Sequence, residues 1–337
     1  MDNSTVCELP KYPGVDGRGA VILQYLEDTQ EIAACGSFEY STYSEMKDNS
    51  CYKLSGSSWQ NMTPLINYHK PAPQVTKSLY LNGKGWFVFG QDKNGVYLST
   101  EIFNGSHWNN TPATGSNGIN LAYSSIGCSV KLNDTHILIT GTDDDTDLTA
   151  GWILNLNDYS WTTIAPLGEK ILQYGCVLTP EGEVLIAGGQ NVGVRKSTVK
   201  IYNPATDSWR LDNNLPTDVD PIIFGFFNWN NEIYFATWLA NSVWKKTNSG
   251  WEKTDIEMGA SFNVERCPAI LVPKHAIQCP TLTTIATTTA TTTTSTTSTT
   301  TTSTSSTTTT ETTTLTSTTT TATGKTLCKH NIYYPPI

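Results

Sequence analysis

The sequence predicts an all-β chain, a β-propeller of about six four-stranded blades with one blade shared by the two ends, followed by a disordered Thr/Ser-rich tail. Two observations carry this reading. A unit recurs five times between Glu31 and Trp251: an apolar run closes at or near a glycine, a variable loop follows, and an aromatic or apolar residue precedes a tryptophan by about seven positions. Each run is also short, β-branched or aromatic, and bounded by Gly, Asn, Asp or Pro, which is the signature of strands and tight turns. The tryptophans Trp59, Trp108, Trp161, Trp209 and Trp251 stand 42 to 53 residues apart, a period that means a propeller or an array.

In chain order, the first unit is Ile32-Ala-Ala-Cys35-Gly36 with Tyr52 and Trp59, and the second is Trp86-Phe-Val-Phe-Gly90 with Phe103 and Trp108. The third is His136-Ile-Leu-Ile-Thr-Gly141 with Leu154 and Trp161, and the fourth Glu183-Val-Leu-Ile-Ala-Gly188-Gly189 with Tyr202 and Trp209. The fifth is Ile233-Tyr-Phe-Ala236 with Trp244 and Trp251. Another apolar strand precedes the Gly-terminated one, joined to it by Asn82-Gly83, Asn133-Asp134, Glu181-Gly182 or Asn230-Asn231. Such pairs tolerate the positive φ of a two-residue hairpin. The closing glycines suit a backbone that turns with φ > 0 or passes close to a neighbour. The aromatic pair is expected to fill the wedge between adjacent blades, which no single blade could bury alone.

The two ends predict closure. Val6-Cys7-Glu8-Leu9-Pro10 through Pro13 resembles the Pro-bearing stretch that follows each tryptophan, so it reads as the last strand of a blade whose other strands lie elsewhere. Cys267-Pro-Ala-Ile-Leu-Val-Pro273 reads as a first strand, like those at Cys128 and Cys176. Sharing a sixth blade between the ends removes the exposed sheet edges.

The repeat resembles the kelch-repeat β-propeller family, over about residues 1 to 280. The family's marks are a double glycine and a Tyr and Trp separated by six residues, and the fourth unit carries all of them in Gly188, Gly189, Tyr202 and Trp209. The first unit has Ser37 for the second glycine, the second shortens the aromatic spacing, the third has Leu154 for Tyr, and the fifth has Ala236-Thr237. The resemblance implies a binding or scaffolding module that uses the variable loops of a propeller face, with protein or glycan ligands, no catalysis and no cofactor. Copper-radical oxidases resembling galactose oxidase share this propeller, but they need two His, two Tyr and a Cys on one metal, whereas His69, His107, His136, His275 and His330 lie scattered. A glycosidase of the sialidase kind would want clustered arginines, and Arg18, Arg195, Arg210 and Arg266 are dispersed. An intracellular kelch adaptor would keep its cysteines reduced. The acidic run Asp143 to Asp147 lacks the glycine and bidentate Glu of a calcium loop and reads as solvated.

Eight cysteines point to disulfides. Cys35 and Cys51 face each other across one hairpin, and Cys7 is placed to lock to Cys279 or Cys267 across the ring closure. From Thr281 to Thr323, 30 of 43 residues are Thr and six are Ser, a mucin-like composition that cannot offset its ordering entropy. Asn3, Asn61, Asn104, Asn109 and Asn133 each open an N-glycosylation triplet, with Pro64 directly after the triplet at Asn61. These features predict an extracellular glycoprotein. The N-terminus shows no basic and apolar leader, so a partial chain or misassigned start is expected, and residues 324–337 read as the start of a further domain. Residues 1 to 280 carry 19 Lys and Arg against 29 Asp and Glu, which disfavours nucleic acid and anionic membranes as partners. No apolar run is long enough to span a membrane.

Overall fold

Among the described residues, short apolar runs closed by tight turns produce five antiparallel four-stranded meanders. The computed structural model describes residues 7–8, 10, 12–13, 22–38, 46–67, 77–89, 100–111, 125–143, 148–191, 193–219, 221, 223–237, 242–257 and 331–332. Strand β1 (Cys7–Glu8) precedes the blades. Blade 1 is β2 (Ile22–Leu26), β3 (Glu31–Phe38), β4 (Met46–Ser55) and β5 (Ser58–Met62). Blade 2 is β6 (Lys77–Leu81), β7 (Gly85–Phe89), β8 (Glu101–Phe103) and β9 (Trp108–Asn110). Blade 3 is β10 (Ser125–Asn133), β11 (His136–Asp143), β12 (Leu148–Asn155) and β13 (Trp161–Thr163). Blade 4 begins with β14 (Gly175–Leu178) and β15 (Val184–Ala187), and a small hairpin of β16 (Gln190–Asn191) and β17 (Val194–Arg195) follows. It ends with β18 (Val199–Asn203) and β19 (Ser208–Asp212). Blade 5 is β20 (Ile223–Trp229), β21 (Glu232–Thr237), β22 (Ser242–Thr247) and β23 (Gly250–Glu257). A last strand, β24 (Asn331–Ile332), pairs with β1.

First strands of successive blades adjoin in the order β2, β6, β10, β14 and β20, the arrangement of a β-propeller. The apolar runs are continuous because both faces of each blade are covered. In β15, Val184 and Ile186 enter the core shared with blade 3, while Leu185 and Ala187 enter the core shared with blade 5. Side chains that alternate across a strand therefore serve two interfaces, and neither face is left polar.

Tryptophans stitch the blades together. The indole N–H groups of Trp108, Trp209 and Trp251 donate to the carbonyls of Thr63 (3.0 Å), Ala165 (2.8 Å) and Asn213 (3.2 Å). Each acceptor lies four residues past the preceding blade's tryptophan. Two residues further on, Leu65, Leu167 and Leu215 are buried. Trp59 donates in the same way to the carbonyl of Pro10 (2.9 Å), and Tyr12 is buried two residues beyond, packed edge-on to Tyr52 and Trp59. Residues 10 and 12 thus occupy the places of a connector leaving a preceding blade. The complementary segment at Cys267–Pro273, and the Thr-rich stretch, lie outside the described residues.

Two expectations about turns need correction. Gly83 (φ 71°), Gly182 (φ 80°), Asn230 (φ 51°) and Asn231 (φ 61°) take the left-handed conformation, but neither Asn133 nor Asp134 does. Asn133 pairs with His136 and its side-chain oxygen accepts the Thr135 N–H at 2.9 Å, so a local side-chain turn replaces the hairpin geometry. The seven-residue aromatic spacing is also not one structural relation. Trp209 faces Tyr202 and Trp161 faces Leu154, but Trp59 faces Leu54 rather than Tyr52, Trp108 faces Phe103, and Trp251 faces Lys246 rather than Trp244. Tighter turns between the third and fourth strands of blades 1, 2 and 5 bring the tryptophan back two residues sooner.

Candidate functional site

A meander blade sends its hairpin turns to one face and its longer second-to-third-strand loops, with the connectors between blades, to the other. On that loop face, blade 4 offers a built surface. Its β15 ends at Ala187, and Gly188 (φ 74°) and Gly189 (φ 91°) carry the chain out of the sheet. A Cβ on Gly188 would stand 2.2 Å from the Pro221 carbonyl oxygen, and one on Gly189 would stand 2.4 Å from that of Leu172. Only glycine threads the gap between these two connectors. The Gly189 N–H donates to the Pro221 carbonyl (2.7 Å), and Lys196 N–H donates back to Gly189 (2.9 Å).

The β16–β17 hairpin that follows is pinned on its other side. Gln190 and Leu172 exchange two backbone hydrogen bonds of 2.8 Å, and the Gln190 amide donates to Gln173. Beneath them Tyr174 is buried, its hydroxyl 2.7 Å from the Thr140 Oγ1 and its ring packed so closely over Gly127 that a Cβ there would fall 2.1 Å from it. Burial raises the Tyr174 hydroxyl far above its ordinary pKa, so it stays protonated, with the Thr140 hydrogen bond opposing more weakly. On β17, where Val194 pairs with Asn191, Val194 is 63% exposed and Arg195 is exposed beside it. Behind it, Glu169 takes Lys200 at 2.9 Å and Lys196 at 3.5 Å. Partial burial pushes the Glu169 carboxyl up, but the two ammonium groups outweigh it and hold it below the usual carboxylate range. The result is a hairpin pinned to two connectors, with an exposed Val194 and charged neighbours, suited to recognition by surface contact.

The residues singled out in the sequence distribute as follows. Tyr202 and Trp209 pack against each other in the core between blades 3 and 4, and Phe103 and Trp108 do the same in the core between blades 1 and 2. Leu154 and Trp161 lie between blades 2 and 3, while Trp244 and Trp251 flank Phe235 in the core between blades 4 and 5. Gly36 takes φ 68° inside β3, Gly141 pairs normally within β11, and Gly90 lies outside the described residues. Asn61, Asn104, Asn109 and Asn133 are all exposed, and Asn3 is outside the described residues. His107 and His136 sit in separate hairpin turns, and among the described residues no three His, Cys, Asp or Glu converge to hold a metal.

Cys35 and Cys51 form a disulfide across β3 and β4, with a Cα separation of 4.1 Å. The partners considered for Cys7, namely Cys267 and Cys279, lie outside the described residues. A second bridge, Cys128–Cys176, was not foreseen and joins the first strands of blades 3 and 4. Its signal was present, for the two cysteines are 48 residues apart, one repeat length, and equivalent positions of adjacent blades lie side by side. Glu101 was also missed. Fully buried, its carboxylate accepts from the Ile66 N–H (2.8 Å) and from the backbone and side-chain N–H groups of Asn67 (3.0 and 2.9 Å), tying the connector to blade 2. Nothing in a lone Glu opening a short strand announces that role.

A family model described as the kelch motif matches residues 174–216, which run from Tyr174 through the whole of blade 4 to Pro216. A search of the curated proteins finds no match to the chain.

Proposed function

The chain is a kelch-repeat β-propeller, and on that footing we propose that it is a non-catalytic extracellular binding module that engages a protein, or the glycan of one, through its loop face. A kelch propeller supports protein binding in general. The observation that favours this face is the β16–β17 hairpin, held from both sides by the connectors at Leu172 and Pro221 while its Val194 side chain stays exposed. A preorganised loop loses little conformational entropy when it binds. Two disulfides among the described residues and four N-glycosylation triplets whose asparagines are exposed favour an oxidising, secretory environment.

The test starts from the chain secreted by a eukaryotic host behind an added leader, with intact mass measured before and after deglycosylation and thiol alkylation. A mass above 36.9 kDa that falls on sugar removal, with few alkylatable thiols, is expected. The same material is then screened against arrays of ectodomains and glycans beside a Val194→Asp variant. The variant should keep its stability within about 0.5 kcal/mol and lose the ligand. A ligand bound equally by both would move the site off this face, and an unmodified chain with free thiols would favour the intracellular adaptor.

A further inference from the structure

Between blades 1 and 2, on the face that carries the hairpin turns, lies a half-open cleft of about 700 Å³. Small-molecule sites span about 300 to 1,000 Å³. Its wall mixes three kinds of polar group. Asp28 and Glu31 only accept hydrogen bonds, Lys53 and Lys84 only donate, and Tyr80 does both, its hydroxyl already accepting from the Asp28 N–H at 3.4 Å. Glu31 and Lys53 are already paired at 2.8 Å, which fixes both on one wall. Saccharide hydroxyls give and accept hydrogen bonds from adjacent positions, so a wall of this composition suits a sugar better than an apolar ligand.

Two N-glycosylation triplets meet at this cleft. Asn61 and Asn104 both line it, and the Thr63 hydroxyl of the first triplet donates to the Ser106 carbonyl of the second at 2.8 Å. Asn104 is the better placed. Its Oδ1 accepts from the Ser106 N–H (3.1 Å), the Ser106 hydroxyl (3.0 Å) and the His107 N–H (3.0 Å), so its amide plane is set by the turn. Its Nδ2 lies 3.3 Å from His107 Nε2, a contact that engages one of its two hydrogens and leaves the other to be replaced. Asn61, by contrast, is followed by Pro64 directly after its triplet.

We infer that Asn104 carries an N-linked glycan whose first sugars seat in the cleft between blades 1 and 2. The inference rests on the extracellular reading above. Seated there, the glycan covers the hairpin-turn side of this interface and leaves the loop face open to a partner.

The experiment maps site occupancy on the secreted full chain by peptide mass spectrometry, then follows release of each glycan by an amidase that cleaves the Asn–sugar bond, before and after unfolding. Asn133, in an exposed turn of blade 3, is the reference. Asn104 should be occupied and released at least about tenfold more slowly than Asn133 in the native chain, because access to a protected site tracks its open population, and equally fast after unfolding. In a Glu31→Gln/Lys84→Ala variant the native difference should collapse. An unoccupied Asn104 beside an occupied Asn133, equal native rates, or a difference the variant leaves unchanged would each overturn the inference while leaving the extracellular reading intact. A chain bare at every triplet would overturn both.

Discussion

Blades 3 and 4 share an apolar core and a disulfide, yet they end their second strands in opposite ways. In blade 3, β11 runs through Gly141, Thr142 and Asp143 without a break, paired with β12 as far as Leu148. In blade 4, pairing of β15 with β18 stops at Ala187 and Val199, and Gly188 and Gly189 lead into a separate hairpin. The difference shows what the double glycine is for. A blade forms without it. What needs it is the exit of the chain between two carbonyls, those of Pro221 and Leu172, where any Cβ would collide.

A reciprocal swap tests this most severely. Gly189→Thr, which copies blade 3 into blade 4, should cost about 5 kcal/mol or prevent folding, since it adds strain at positive φ to a backbone clash. Thr142→Gly, which copies blade 4 into blade 3, should cost only about 1 kcal/mol in urea unfolding. Comparable losses from the two would mean that the conformational difference between the blades is incidental.

The next effect concerns the bridge that joins the two blades. Replacing Cys128 and Cys176 by Ala should cost about 4 kcal/mol, against about 3 kcal/mol for Cys35 and Cys51, because the first pair closes a loop of 48 residues and the second one of 16. A larger loss from the bridge within blade 1 would show that strand geometry, rather than loop closure, governs these bonds.

The smallest effect is electrostatic. Glu169, on the connector from blade 3 to blade 4, has its carboxyl held down by Lys200 and Lys196 against the effect of burial. A group depressed in the folded state contributes above its unfolded pKa of about 4.3 and loses that contribution as pH falls through the folded value. Stability should therefore drop by less than about 1 kcal/mol between pH 6 and about pH 3 on account of this group, given its partial exposure. Glu169→Gln should remove that component from the urea midpoint profile. A profile identical to wild type would mean the three charges do not interact in solution.

Much of the fold was legible because a propeller repeats one local pattern. The Val-Leu-Ile-Ala run of β15, its Glu181-Gly182 turn and the glycine pair each state their role within a few residues. Pairings between blades were less legible. The indole bonds to Thr63, Ala165 and Asn213 reach back 38 to 45 residues, and the apparent regularity of seven-residue spacing concealed that Tyr52 and Trp244 are not the partners of the following tryptophans. Turn length decides that register, and it differs by two residues between blades.

By itself, then, the sequence determined the strands, their meander order and the period of the repeat, because alternation and turn chemistry act over neighbouring residues. Only the tertiary structure decided which loops meet on one face, that Cys128 reaches Cys176, that Glu101 is buried against a connector, and that two N-glycosylation triplets share a cleft. Those relations depend on how one blade sits against the next, and contacts between distant segments leave no periodic mark in the chain that makes them.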